Sequence, residues 1–207
     1  MIIAGFAGTG KTFFCKNKKN AIDFVIMPFK YTNFYQLSQN LSENEDIKAH
    51  SDLDFLVGWE EYYYFALMDT YRKFPDEIIV IPTVGSILER LKADNIPITV
   101  VYPNAADKKE YKKRYQNRGN SETFMRIFLE RWDEWIKVIQ SHAADNAIEL
   151  SAEQYLSDVI DPVTYSENTI IKNKETYIYD TYFKNGWDER FSQTSIGVLM
   201  KRMMLNK

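Results

Sequence analysis

The chain has 207 residues, of which 45% are apolar and 27% charged, with a formal net charge of −3. This balance excludes wholesale disorder and offers no broad basic field for duplex nucleic acid. A single cysteine, Cys15, rules out an intramolecular disulfide, and the apolar runs are far too short to span a bilayer. No charged-then-apolar leader opens the chain, so the expectation is a cytoplasmic protein with no membrane partner.

Short apolar runs alternate with helical patterns. Residues 1–6 predict a first strand, and Lys11 opens a helix to about Asn17. A second strand is expected over 21–27, stopped by Pro28, then a helix over 32–41. Residues 41–54 are polar and acidic, and 59–74 are a helix rich in aromatics. "DEIIVIP" (76–82) has the continuous apolar run of a strand buried on both faces. Val84, Ile87, Leu88 and Leu91 predict an amphipathic helix, 96–102 a fourth strand, and 108–118 a very basic helix. Gly119-Asn120 breaks it and Ser121 caps a helix running to about 143. A short strand over 147–150 and a closing helix over 151–160 complete the alternation. Beyond Pro162 the pattern weakens, with a hairpin expected over 169–179 and a last helix over 191–205. Alternating strands and helices imply a parallel sheet covered on both faces. The expected fold is therefore a three-layer α/β/α P-loop NTPase fold with a five-stranded parallel sheet over residues 1–162. A lid is expected at about 104–122, and an appendage of unassigned role at 163–207.

"GFAGTGKTFF" sits where the first strand ends. Gly5, four residues, then Gly10-Lys11-Thr12 is the phosphate-loop spacing. Such a loop wraps phosphate oxygens closely, so side chains must be absent at several positions, and glycine reaches backbone angles closed to other residues. Successive N–H groups form an anion nest ahead of a helix N-terminus. The expected nucleotide contacts are Gly5, Ala7, Gly8, Thr9, Gly10, Lys11, Thr12 and Phe13, with Lys11 on the outer phosphates and Thr12 on Mg²⁺.

A switch or motor would show a carboxylate closing a buried strand, but "IIVIPTV" ends in Pro82-Thr83. A small kinase needs cations around the migrating phosphoryl group and exclusion of water. "KKEYKKRYQNRGN" supplies Arg114 and Arg118 four apart on one helix face, just beyond the fourth strand, among Lys108, Lys109, Lys112 and Lys113. Arg126 is near enough in sequence to reach the same site, and Arg131 suits an ion pair.

With "GFAGTGKT", "VVYP", "EYKKRYQNRGNSETF", "RWDEWI" and "LSAEQYLSDVI", the chain resembles the P-loop nucleoside and nucleotide kinase superfamily, the adenylate- and guanylate-kinase-like group. More narrowly, it is similar to small members found in phages and Gram-positive bacteria, and the resemblance covers about residues 1–162. The resemblance implies ATP as donor, Mg²⁺, and Arg114 and Arg118 as lid arginines on the phosphates. It also sets Asp23, in "AIDF", near the acceptor, to take its proton or hold Mg²⁺. Members usually continue after that Asp with small polar residues, whereas this chain reads "FVIMPFKY".

Residues 33–71 would cover the acceptor. Trp59 and Tyr62–Tyr64 suggest an aromatic wall, though helical spacing keeps all three tyrosines from facing one pocket; Lys30 and Tyr31 are placed to reach an acceptor phosphate. His50 and His142 lack metal-ligand spacing, and Cys15, Trp132 and Trp135 suit core packing. The expected activity is Mg-ATP-dependent transfer to a small nucleotide, nucleoside or modified nucleotide. NTP binding without transfer, and NTP hydrolysis, are the alternatives, and a homodimer stays open.

Overall fold

A computed structural model describes residues 1–38, 53–142, 146–160, 174–184, 189–194, 197 and 200. Five strands carry the sheet: β1 (Ile2–Gly5), β2 (Ala21–Asp23), β3 (Ile78–Pro82), β4 (Ile98–Pro103) and β5 (Ala147–Leu150). All neighbours are parallel, in the order β2-β3-β1-β4-β5. The central strand β1 is bonded on both edges, Ile3 lying between Val80 and Thr99.

Alternation along the strands divides the core into two layers. Ile2, Ala4, Ile22, Ile79, Ile81 and Val100 face one side, where they meet Tyr63, Leu67, Leu88, Trp132 and Ile139. Ile3, Ala21, Ile78, Val80, Val101 and Leu150 face the other, against Phe14, Leu156 and Ile160. Both faces are covered, as strands made of Ile and Val without polar alternation require. A parallel sheet of this order with a glycine-rich loop after its central strand is a P-loop NTPase-like α/β fold.

The helices are α1 (Lys11–Asn17), α2 (Met27–Lys30), α3 (Phe34–Ser38), α4 (Trp59–Lys73), α5 (Gly85–Ala93), α6 (Lys108–Asn117), α7 (Glu122–Glu130), α8 (Trp132–His142), α9 (Leu156–Val159), α10 (Lys174–Tyr182) and α11 (Glu189–Ser192). Several expectations are corrected. The second strand ends at Asp23, and Pro28 sits in the first turn of α2, where its missing N–H costs nothing. The single helix expected over 121–143 is two, parted at Arg131. This break lets Trp132 turn inward, donate from Nε1 to Ala105 O at 2.9 Å and pack edge-on to Phe6. The closing helix is one turn, because Ser151–Gln154 forms a separate turn held by the Gln154 side chain. Part of the expected hairpin, residues 169–173, lies outside the described residues, and the remainder is the start of α10. Of the expected last helix, Phe191 and Ser192 fall in α11, and 201–205 lie outside the described residues.

The described part of the C-terminal segment shares the main core. Ile178, Tyr182, Phe191 and Met200 are buried in it. The Tyr182 hydroxyl donates to Asp69 Oδ2 at 2.9 Å and meets Thr70 Oγ1, while Arg190 forks onto both Asp69 oxygens at 2.8 Å. Burial opposes ionisation of Asp69, but the bonds from Arg190 and Tyr182 outweigh it and hold its pKa below the ordinary carboxylate value.

Buried phenols are the main ionisable groups of the interior. Burial pushes Tyr111 up to about 12 and raises Tyr63, Tyr115 and Tyr182 as well. A phenol that holds its proton more tightly in the folded state stabilises the fold fully below its unfolded pKa, and that contribution fades as pH climbs. Stability should therefore fall steeply above about pH 10, the ordinary tyrosine value. Tyr111 OH is buried without a partner. Tyr111→Phe should accordingly be neutral or stabilising, by about 0–1 kcal/mol at neutral pH, and should flatten the alkaline loss. Chemical denaturation from pH 7 to 11 checks both signs.

Candidate functional site

The loop after β1 lies at the carboxyl end of the sheet, the end where open α/β sheets gather ligands. Two of its glycines have left-handed backbones, Gly8 at φ 82 and Gly10 at φ 87. Only glycine adopts these angles without strain, and the surroundings exclude a side chain too. A Cβ on Gly8 would meet Tyr115 at 2.8 Å and Tyr111 at 3.2 Å, and one on Gly10 would meet Tyr155 at 3.2 Å.

Every carbonyl from Gly5 to Gly10 is engaged. Lys11 Nζ donates to Gly5 O and Phe6 O, both at 2.9 Å. Thr9 Oγ1 donates to Phe6 O at 2.8 Å, and Tyr115 OH to Ala7 O at 3.1 Å. Arg114 reaches Gly8 O at 3.4 Å, Leu156 N–H bonds Thr9 O at 2.8 Å, and Phe14 N–H bonds Gly10 O at 2.9 Å. A loop whose acceptors are all occupied turns no bare carbonyl toward a phosphate, and its amides, apart from those of Phe6 and Thr9 that bond Val101 O and Phe6 O, are what an anion would meet.

Thr12, the second residue of α1, has an exposed side chain, and its Oγ1 donates to Asp23 Oδ2 at 2.7 Å. Asp23 is the last residue of β2. Two elements adjacent in sequence thus bring a hydroxyl and a carboxylate together beside Lys11. These are oxygen donors suited to Mg²⁺, and the glycine loop beside them suits the phosphates that accompany it. Among the described residues no cluster of three or more His, Cys, Asp or Glu could hold a metal by itself. Phe13 is 64% exposed on the same turn.

The two arginines of the basic helix part company. Arg114 is buried at 8% exposure, donating to Ala152 O at 2.5 Å and Gln154 O at 3.2 Å besides Gly8 O. Its guanidinium carbon lies 4.1 Å from the Tyr155 ring centre and 4.6 Å from that of Tyr111. Arg118 caps the end of α6 and is exposed, as is Arg126. Helix α6 thus lies packed on the phosphate loop, with Tyr111, Arg114 and Tyr115 on its buried face and Lys109, Lys112 and Lys113 on its exposed one. Arg131 pairs with Glu134, as its sequence position suggested.

Tyr62, Tyr63 and Tyr64 of α4 are all interior. Tyr62 OH donates to Tyr182 O at 2.6 Å, Tyr63 OH to Phe24 O at 2.8 Å and Tyr64 OH to Asp94 Oδ2 at 2.5 Å. With rings and hydroxyls committed, they cannot form the aromatic wall that composition suggested. Glu61 is paired with Arg90 at 2.6 Å. Lys30 Nζ lies 5.6 Å from the Tyr31 ring centre, 5.9 Å from Phe55 and 6.0 Å from Trp59, an attraction between cation and ring faces. Of this region, residues 39–52 lie outside the described residues.

No protein-family model and no curated protein matches the chain. Among solved structures it is similar to the tunicamycin resistance protein of Deinococcus radiodurans, with 14% identity and a TM-score of 0.43 over 76% of this chain and 90% of that one. No residue role is carried across at that distance. Among the described residues no helix is long and apolar enough to cross a membrane.

Tyr155 and Tyr115 are the site residues that motif reading passes over. The spacing of Tyr111, Arg114 and Tyr115 (i, i+3, i+4) is the buried-face signal that was available for the second of them. The packing on Gly8 is directly testable. Gly119 also has a positive φ of 69° but nothing within 4 Å of an added Cβ. Gly119→Ala should cost about 1 kcal/mol from the backbone alone, and Gly8→Ala about 2–4 kcal/mol, since a clash is added. Paired thermal or urea melts of the two variants would measure the difference.

Proposed function

We propose that the chain binds a magnesium nucleoside triphosphate, ATP in the first instance, and transfers its terminal phosphoryl group to a small nucleotide, nucleoside or modified nucleotide. The observation that carries this reading is the meeting of Lys11, Thr12 and Asp23 at the carboxyl end of the sheet, with Thr12 Oγ1 2.7 Å from Asp23 Oδ2. The loop amides and Lys11 would hold the β- and γ-phosphates, with Lys11 exchanging its two carbonyl partners for phosphate oxygens. Thr12 and Asp23 would hold the Mg²⁺, which when bound neutralises charge between those phosphates.

The remaining steps belong to side chains. Asp23 would take the proton of an acceptor hydroxyl, or complete the metal's oxygen shell. Exposed Arg118, at the end of α6, is the arginine left with freedom to approach the transferring group. In the transfer, the bond from the γ-phosphorus to its bridging oxygen breaks and a bond to the acceptor oxygen forms, and the arginine steadies the charge on the equatorial oxygens.

Binding without transfer is the second reading. It is favoured by Val25, 43% exposed, and by Ile26-Met27-Pro28, which follow Asp23 where polar acceptor contacts would be expected.

A coupled ADP-release assay with Mg-ATP, run against nucleoside monophosphates, nucleosides and modified pyrimidine nucleotides, tests the proposal. ADP release that depends on one acceptor supports transfer and names the acceptor. Release without any acceptor means hydrolysis, and Mg-ATP binding without release leaves the second reading. Lys11→Ala should lower turnover at least about 100-fold while the melt changes little. Arg118→Ala should lower kcat much more than it weakens Mg-ATP binding, and unchanged turnover would remove Arg118 from the site.

A further inference from the structure

Arg114 was expected among the lid arginines, yet its surroundings give it a different task. It is buried, with two rings close to its guanidinium and three backbone carbonyls on its terminal nitrogens. Those carbonyls come from two separate segments. Gly8 belongs to the phosphate loop, while Ala152 and Gln154 belong to the turn between β5 and α9. A guanidinium committed in this way has few donors left for a migrating phosphoryl group.

The peptide plane explains what such a clamp controls. Each peptide is rigid, so fixing a carbonyl fixes the N–H on the opposite side of the same plane. The Ala7–Gly8 peptide is held through its oxygen by Tyr115 OH, the Gly8–Thr9 peptide by Arg114 on its oxygen and by Phe6 O, 3.4 Å from its Thr9 N–H nitrogen, and the Thr9–Gly10 peptide by Leu156 N–H. Three successive peptides of the loop are therefore oriented from α6 and from the segment that follows β5. Arg114 is bonded to both the loop and that segment. Its shortest bonds, to Ala152 at 2.5 Å and Gln154 at 3.2 Å, hold the turn. The turn in turn carries Tyr155 against Gly10 and Leu156 N–H against Thr9 O.

We infer that Arg114 is a positioning residue that ties the 152–156 segment to the phosphate loop and sets the orientation of the Gly8–Gly10 amides for the triphosphate. The functional part of this inference rests on the nucleotide-binding reading above, and the structural part stands without it. Arg114 acts from behind the loop, so its loss should appear in phosphate affinity rather than in the transfer step alone. A lysine keeps the charge but brings one nitrogen where the three carbonyls are reached from two, Nη1 on Gly8 O and Gln154 O and Nη2 on Ala152 O.

The test uses the full chain, comparing wild type with Arg114→Met, Arg114→Lys and, as a control on the exposed face of the same helix, Lys112→Met. The first readout is amide hydrogen exchange of the apo protein, well below its melting temperature. Both Arg114 variants should exchange about tenfold or more faster over residues 7–10 and 152–156, with the central strands unchanged. The second readout is calorimetric affinity for Mg-ATP and for inorganic tripolyphosphate, corrected for the folded fraction. Both ligands should weaken by a similar factor, at least about fivefold, because the effect lies at the phosphates. Lys112→Met should match wild type in both readouts.

Unchanged exchange in the two segments would overturn the clamp. Faster exchange with unchanged affinity would overturn the positioning role and leave Arg114 a purely structural residue. Rescue of affinity by Arg114→Lys would overturn the argument from shared carbonyls. If wild type bound neither ligand, the nucleotide reading and the functional half of this inference would both fall. The exchange data, which need no ligand, would still decide the clamp separately.

Discussion

The site depends on how a short glycine loop disposes of its own carbonyls. A phosphate-binding loop needs its N–H groups directed at the anion, and every peptide that offers an N–H also carries an oxygen that would repel it. Here the oxygens from Gly5 to Gly10 are accounted for by Lys11, Thr9, Tyr115, Arg114, Leu156 and Phe14. These partners come from the loop itself, from α1, from α6 and from the start of α9. The loop's shape is thus a property of the tertiary structure around it, although its glycines are what allow that shape.

The same dependence explains the architecture of this end of the sheet. Strand β1 is buried on both faces and bonded on both edges, so the loop leaves from a fixed point. Helix α6 follows β4 and β5 leads into α9, and β1, β4 and β5 stand in that order across the sheet. Elements far apart in the chain therefore converge on the loop. Tyr111 and Tyr115 pack on Gly8, and Tyr155 packs on Gly10. On the other side of β1, the order brings β2 next to β3, and Asp23 at the end of β2 meets Thr12 at the start of α1.

The inward face of α4 carries aromatic rings whose hydroxyls are already paired. Tyr62, Tyr63 and Tyr64 are fixed by Tyr182, Phe24 and Asp94 respectively, and the C-terminal segment closes over α4 through Tyr182, Arg190 and Phe191. Asp69 is the polar centre of that contact. Residues beyond the sheet domain are therefore part of its packing, and they help to hold α4 in place.

The sequence by itself determined the parallel α/β layout and the place of the glycine loop that leads into Lys11 and Thr12. These are local signals: runs of Ile and Val, helical spacing, and glycines at fixed offsets. Asp23 was marked only by the family resemblance, inside a strand expected to run on to residue 27; the tertiary structure ends β2 at Asp23 and brings it to Thr12. The sequence could not separate Arg114 from Arg118. Four residues apart on one basic helix they look alike, and only packing against Gly8 and the turn after β5 buries the first and leaves the second exposed. Nor could it place Tyr155, whose contact with Gly10 spans about two thirds of the chain. Local periodicity tells which residues share a face. What that face meets is decided when distant segments pack, and that decision separates a side chain that would touch phosphate from one that holds the loop in place.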